Sequence, residues 1–532
     1  MIKKILSITA LAMVLLSGCT SWVDEEPLSE GRYDSFFQNR FDADAGIAGM
    51  YGTFQQTMVS DGNFRNRYTF WGEGRSDNFE RFRQYSTNTT NEMHFNSLTA
   101  NNDFADWTGL YKVIGQANLL IKKLPDVNQN TTPGSVNELP ATTLQNYIAQ
   151  AYAMRALCYF YIVRVWGDAP IRTEPYLDLN ENPERARDPK DKVLEQVISD
   201  LNQAYTMMPK GASATVFYIN EGAIAAIMAD VYMWKAGLSK NQQDYQNAIV
   251  WFKNVFKAKA PTGKVYNSAG SVTTGSGGAA ADLQSTGTWK DMFTNPAQSV
   301  EAIWNIHWDY LANGCPCMAG VSTANNNTPY RIATGIFTTW GAVTDDIRVK
   351  QTFDITKKEQ DRTWKWYPGV YTPPVPAVGT TPAQPYKYTG TFGSTLNVYM
   401  PVYRLSDQYL LYAEALNKTG DKANAVKYLN LIRTRANLSA VTAASFATET
   451  DLETAILQER QWELFGEGKR WFDLVRTDRV AQVMDPIIIA RQVEQGAAQT
   501  GWGTDKRKYY WPLHRNVLNS NSLLVQNQPY SE

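Results

Sequence analysis

Glu459, Arg460, Glu463, Glu467, Arg470 and Asp473 form a run of ionisable side chains that could do acid–base work. Paired carboxylates serve that purpose when their surroundings push their pKa values apart. Alternating signs along a helix and the turn after it more often make ion pairs that lock the helix against its neighbours, and this structural reading is preferred. Other reactive chemistry is thin. The chain has 3 His, the residue type most used as metal ligand and general base. Cys315-Pro316-Cys317 has one imidazole nearby, His307, and no further Cys, so a four-ligand zinc site is not expected. There is no H-E-x-x-H, G-x-S-x-G or Walker loop, and Gly466-Glu467-Gly468-Lys469 lacks the upstream Gly that a phosphate loop needs. No spacing singles out the two carboxylates of a glycoside hydrolase. No catalytic residue, metal or cofactor is therefore expected.

Contact with a ligand is better provided for, because the chain carries 16 Trp, 29 Tyr and 21 Phe. A sugar ring offers an apolar C–H face, which aromatic rings cover, and a rim of hydroxyls, which Asn, Asp, Arg or Gln can pair with. Two regions have this mixture. One contains Trp71, Arg75, Asp77, Asn78, Phe82 and Tyr85; the other is an aromatic set at Trp308, Tyr310, Trp340, Trp364 and Trp366. Arg75 and Asp77 either pair structurally or face the ligand, and both readings stand. Trp304 alternates within an apolar run and reads as core, and Cys158, in a helical pattern, as a small buried hydrophobe.

Positioning these residues requires a frame, and the periodicity supplies helices. Apolar residues at helical spacing predict helices over 42–58, with Asp42 as N-cap, then 103–124, 144–166, 192–208, 219–234 and 244–256. A further pair is predicted over 405–418 and 422–436, with a strand-like run at 302–308. Residues 41–260 thus hold three helix pairs, 261–400 are a loop-rich insert and the expected ligand face, 401–480 hold the fourth pair and the charged helix, and 481–532 are a C-terminal extension. With 51 Lys and Arg against 52 Asp and Glu, the chain lacks an overall basic footprint for nucleic acid.

The first residues read as an address. Lys3 and Lys4 precede an apolar run from Ile5 to Leu16, too short to span a bilayer but suited to a signal peptide over 1–18. Leu16-Ser17-Gly18-Cys19 looks like a bacterial lipobox, which makes Cys19 the lipidated first residue of a tether over 19–40, attached to a membrane and not threaded through it. Asp24-Glu25-Glu26 resembles the export signal of surface-exposed lipoproteins.

The string from Glu459 to Arg476, ERQWELFGEGKRWFDLVR, resembles the ERxxELxxEGxRWxDLxR signature of the SusD/RagB family. Tyr510-Trp511-Pro512-Leu513 and Gln526-Asn527-Gln528-Pro529-Tyr530 resemble that family's closing motif, with Gln528 where the family has Gly. Trp107, Tyr111 and Asn118, the run Ala153 to Pro170, and Tyr403 to Leu416 fit in the same order. The resemblance implies a mostly α fold with four tetratricopeptide-like helix pairs. It implies an outer-membrane lipoprotein that captures glycans, or peptides in some members, and works with a SusC-like TonB-dependent transporter. A transporter lid with little ligand affinity of its own is a third possibility. The aromatic binding residues diverge across this family, so none is carried over by motif.

Overall fold

The structure is a computed structural model; it describes residues 36–59, 66–83, 86–178, 180–266, 282–308, 329–354, 359–366, 369–372, 377, 379, 387–390 and 397–531. Cys19, Tyr85, Tyr310, Cys315 and Cys317 fall outside these residues. Six long helices come first: α1 (Arg40–Val59), α2 (Thr108–Lys123), α3 (Ala141–Trp166), α4 (Lys190–Met207), α5 (Glu221–Ser239) and α6 (Gln242–Lys257). After the insert come α7 (Leu405–Lys418), α8 (Lys422–Arg435), α9 (Glu449–Glu463), α10 (Arg470–Arg476) and α11 (Val480–Glu494). Each of α1 to α8 packs on the next, so the expected pairs stack into one continuous helical frame. One cap differs from expectation. Asn39, not Asp42, accepts the first free N–H groups of α1, because its Oδ1 reaches the N–H of Phe41 at 2.8 Å and of Asp42 at 3.3 Å.

The middle of the frame is buried on every side. In α3 the residues from Ala153 to Trp166 are all buried, Cys158 among them, and in α7 burial runs from Leu405 to Asn417. Helices covered all round need partners for their polar side chains. Arg155 accordingly makes a bidentate pair with Asp200 at 2.8 and 2.6 Å and donates to Asn118 Oδ1 at 2.7 Å. Trp166 Nε1 donates to the carbonyl of Pro512 at 3.0 Å, and Trp511 N–H to that of Val165 at 2.8 Å, which straps the C-terminal extension back onto α3.

Four strands matter to the site: β1 (Phe79–Arg81), β2 (Ala302–Trp308), β3 (Tyr330–Ile332) and β4 (Val398–Arg404), paired antiparallel as β1 with β3 and β2 with β4. Between Asn305 and Trp308 the register of β2 on β4 is regular, with His307 opposite Tyr399.

The charged string is a buried lattice of ion pairs. Glu463, at the end of α9, meets Arg404 at 2.5 Å, Arg435 at 2.5 Å and Arg348 at 3.0 Å. Glu467 meets Arg404 at 2.7 Å and the Lys365 ammonium, and Arg435 meets Glu301 at 3.0 Å. Burial alone would raise the Glu463 carboxyl, but the guanidiniums of Arg435, Arg404 and Arg348 hold it well below the usual range. Arg460 joins Asp407 to Asp473 at 2.9 and 2.8 Å, completing the structural role expected of these residues. In the turn between α9 and α10, Gly468 has φ +70° and lies against the backbone at Gly72, where an added Cβ would sit 1.9 Å from the Gly468 carbonyl oxygen.

Removing one partner of such a lattice leaves buried charge without compensation. Glu463→Ala is expected to cost about 3–5 kcal/mol in urea unfolding. A loss below about 1 kcal/mol, the level of an exposed pair, would show that the lattice is not what holds α9 in place.

Candidate functional site

The segment 71–78 is built into the frame. Trp71 is fully buried, donates from Nε1 to the Phe104 carbonyl at 2.8 Å and meets Trp166 edge to face at 5.2 Å. The Arg75 guanidinium lies over the rings of Trp471 and Trp502, 4.7 Å from each centroid, and donates to the Tyr509 and Lys508 carbonyls at 3.1 and 2.6 Å. Asp77 pairs with Arg470 through both carboxylate oxygens, at 2.9 and 3.0 Å, so Arg75 and Asp77 are structural without pairing to each other. Asn78 donates to Glu73 Oε2 at 2.7 Å. None of the four presents a face to ligand: Trp71 is packed on Phe104 and Trp166, Asn78 is held by Glu73, Arg75 is bound to the carbonyls at 508–509 and the Trp471 ring, and Asp77 is paired with Arg470.

The insert tryptophans have the same fate. Trp340 is fully buried, donates to Asp346 Oδ2 at 2.9 Å and lies parallel to Trp462, with centroids 6.0 Å apart. Trp366 packs edge-on against Phe293 at 5.3 Å, and Trp364 is buried beside it. Trp308 is buried as well, sharing one face of β2 with Trp304 and Ile306. The expectation that Trp308, Trp340, Trp364 and Trp366 face a ligand is therefore corrected. Between them, Arg348 and Lys365 thread into the Glu463–Glu467 lattice, so this part of the insert walls the charged core.

On the opposite face of β2 the structure places a set of stacked, half-buried rings. His307 lies nearly parallel to Tyr399 (centroids 5.0 Å, planes at 11°) and to Phe217 (4.5 Å, 27°), and Phe217 lies 5.7 Å from Tyr399 at 21°. All three rings are half-buried. Tyr218, 44% exposed, adjoins them and meets Tyr51 of α1 edge to face at 5.0 Å. The platform is stitched from three segments. Asn305 N–H donates to the Val216 carbonyl at 2.7 Å, Asn220 Nδ2 to that of Ile303 at 2.9 Å, and Gln55 Nε2 to that of His307. Tyr51 accepts the Ile219 N–H at 2.8 Å and donates to Gln150 at 2.7 Å, fixing the loop to α3.

At the foot of the platform sits Asn305, on the same face of β2 as His307. It is 1% exposed, and among the described residues neither its side-chain nitrogen nor its side-chain oxygen has a hydrogen-bond partner. A buried amide in that state calls for a polar guest such as water. The near-parallel, half-buried rings suit the apolar C–H face of a ring-shaped polyol. Sequence reasoning missed Phe217, His307 and Tyr399 because 90 and 92 positions separate the first two and the last two, and strand pairing joins His307 to Tyr399 while loop-to-strand hydrogen bonds bring in Phe217. Adjacent Phe217 and Tyr218 in a loop were the available signal.

Two family models match the chain: "SusD family" over residues 337–530 and "Starch-binding associating with outer membrane" over 21–233. A SusD-like protein of Formosa agariphila is 26% identical over 99% of both chains, and one of Bacteroides ovatus is 25% identical over 89% of this chain and 82% of its own. Among solved structures, a SusD homolog of Bacteroides thetaiotaomicron superposes with TM-score 0.69 at 18% identity, covering 94% of this chain and 98% of that one. A structure titled as a putative sugar binding protein of Bacteroides vulgatus gives TM-score 0.66 at 23%, covering 93% and 99%. The mostly helical fold is theirs. The chain belongs to the SusD family.

Glu73 gives the 71–78 segment a measurable signature. Burial raises its carboxyl to about 8, against hydrogen bonds from Asn78 and the Lys469 N–H. A carboxyl raised on folding favours the folded state while protonated, and that contribution declines as pH climbs from its unfolded value through about 8. Wild-type protein should therefore lose stability relative to Glu73→Gln over that window, by up to about 1.4 kcal/mol per pH unit in urea melts. Parallel pH profiles for the two proteins would contradict the assignment.

Proposed function

We propose that this protein is a cell-surface, outer-membrane lipoprotein that captures an oligosaccharide or polysaccharide without cleaving it. It is anchored through a lipidated Cys19 and delivers its ligand to a SusC-like TonB-dependent transporter. The observation that carries the reading is the platform of Phe217, His307 and Tyr399 over an unpartnered Asn305. Support comes from membership of the SusD family, from a matching model described as starch-binding and associated with the outer membrane, and from a structural neighbour titled as a sugar binding protein. Capture without turnover fits the fate of the signature carboxylates, which are bound into ion pairs and have no role left in acid–base catalysis. The stacked helix pairs act as a tetratricopeptide-like frame, and the platform is its ligand face.

Phe217→Ala and Tyr399→Ala should each weaken saccharide binding in calorimetry by about 1 kcal/mol or more while leaving the melting temperature nearly unchanged, as for ring anchors at a contact surface. Full affinity in both variants removes the platform from the site. Binding of peptides and of no glycan on arrays would transfer the same platform to peptide capture.

A further inference from the structure

A second concave site lies at the far end of α3. A half-open cleft of about 720 Å³ opens beside Trp166 and Gly167, sixteen residues along the helix from Gln150, roughly 24 Å at the helical rise. That volume is in the range that holds a small ligand. Arg187, Lys190, Lys235, Lys240, Lys506 and Arg507 line it, against Asp168, Asp191 and Asp478.

Some of this charge is neutralised locally. Lys506 pairs with Asp478 at 2.7 Å, Arg507 with Asp505 at 2.9 Å and Lys235 with Asp244 at 3.2 Å. Arg187, Lys190 and Lys240 form no salt bridge among the described residues. The Arg187 guanidinium donates to three carbonyls, those of Asp168 (2.8 Å), Val525 (3.1 Å) and Trp166 (3.2 Å), and burial lowers its basicity. The Lys190 ammonium lies 5.6 Å from the centre of the Tyr510 ring. Asp168, whose Oδ1 accepts the Lys190 backbone N–H at 2.8 Å, and Asp191 keep their negative charge in the lining. The lining still holds six cations against these two carboxylates and Asp478, so the potential in the cleft is positive. Cations gathered in a concavity with protein walls concentrate that field, and Arg can engage a planar anion through two parallel hydrogen bonds.

We infer that this cleft is a second binding site, selective for an anionic saccharide unit, a uronate carboxylate or a sulfate ester, held by Arg187, Lys190 and Lys240 with the Tyr510 ring beside them. The saccharide half of that assignment rests on the capture reading above; the anionic half rests on the cleft alone. Neutral parts of a chain would engage the platform and charged parts the cleft.

The test uses the mature, full-length protein with two probes, trigalacturonate and a sulfated disaccharide, and a neutral trisaccharide as control, in calorimetry at low and high salt. At least one acidic probe should bind, weaken about tenfold as salt is raised and weaken about tenfold in K190Q/K240Q, as expected where charge dominates. Lys240 is exposed and Lys190 half-buried, and neither holds a salt bridge among the described residues, so this double variant keeps the fold where R187Q loses three carbonyl contacts. The salt-sensitive part of acidic binding should persist in F217A/Y399A, which separates failure of the cleft from failure of the platform. The inference is overturned if neither acidic probe binds, if K190Q/K240Q binds them as wild type does, or if F217A/Y399A abolishes their binding. Equally tight binding of an oligo-aspartate peptide of the same charge would overturn the saccharide assignment.

Discussion

Glu463 is the constraint on which the rest of the structure depends. Its carboxylate receives three guanidiniums, one from the 346–348 turn of the insert, one from the end of β4 and one from the end of α8. Segments up to 115 positions apart thus meet at one fully buried group. Taking so many charges out of water costs several kcal/mol per ion, and the pairing recovers it only when every partner is in place. A lattice of this kind specifies one arrangement more than it adds net stability.

The lattice also reaches the proposed ligand face. Arg404, held by Glu463 and Glu467, is the last residue of β4, and Glu301, held by Arg435, directly precedes β2. Both strands are pinned at the same end, where Ala302 pairs with Arg404. Five residues further along, roughly 17 Å at the rise of a strand, they bring Tyr399 and His307 side by side. The platform therefore sits at the tip of a ribbon whose base is fixed by buried charge. Ring-stacking surfaces need this kind of support, since a ring ordered in advance loses less entropy on binding.

Much of this was legible in the sequence. The strand over 302–308 and the helix over 405–418 have the boundaries that their periodicity predicts, because apolar spacing and flanking turns both mark their ends. The charged string reads correctly as structural. The helix α11 does not stand out, since Pro486 lies inside it and its apolar residues follow no clear stripe. The site was harder to see for a different reason. Tryptophans in a polar insert look like ligand contacts, but Trp340 and Trp366 are surrounded by polar residues that turn inward with them, Arg348 and Lys365 above all. Composition cannot show that a charge is buried with its partner, nor that Phe217 from a helix-connecting loop will meet His307 and Tyr399 across a strand pair.

The central claim is that buried charge sets the base of the β2–β4 ribbon and that ligand is taken at its tip. A crystal structure of the mature protein with the oligosaccharide it binds most tightly on a glycan array tests this most directly. A sugar ring is expected against Phe217, His307 and Tyr399, with water on the Asn305 amide and the Glu463 lattice unchanged. A sugar ring seated instead among Trp340, Trp364 and Trp366, with the lattice opened to admit it, would show that the ribbon tip is not the ligand site.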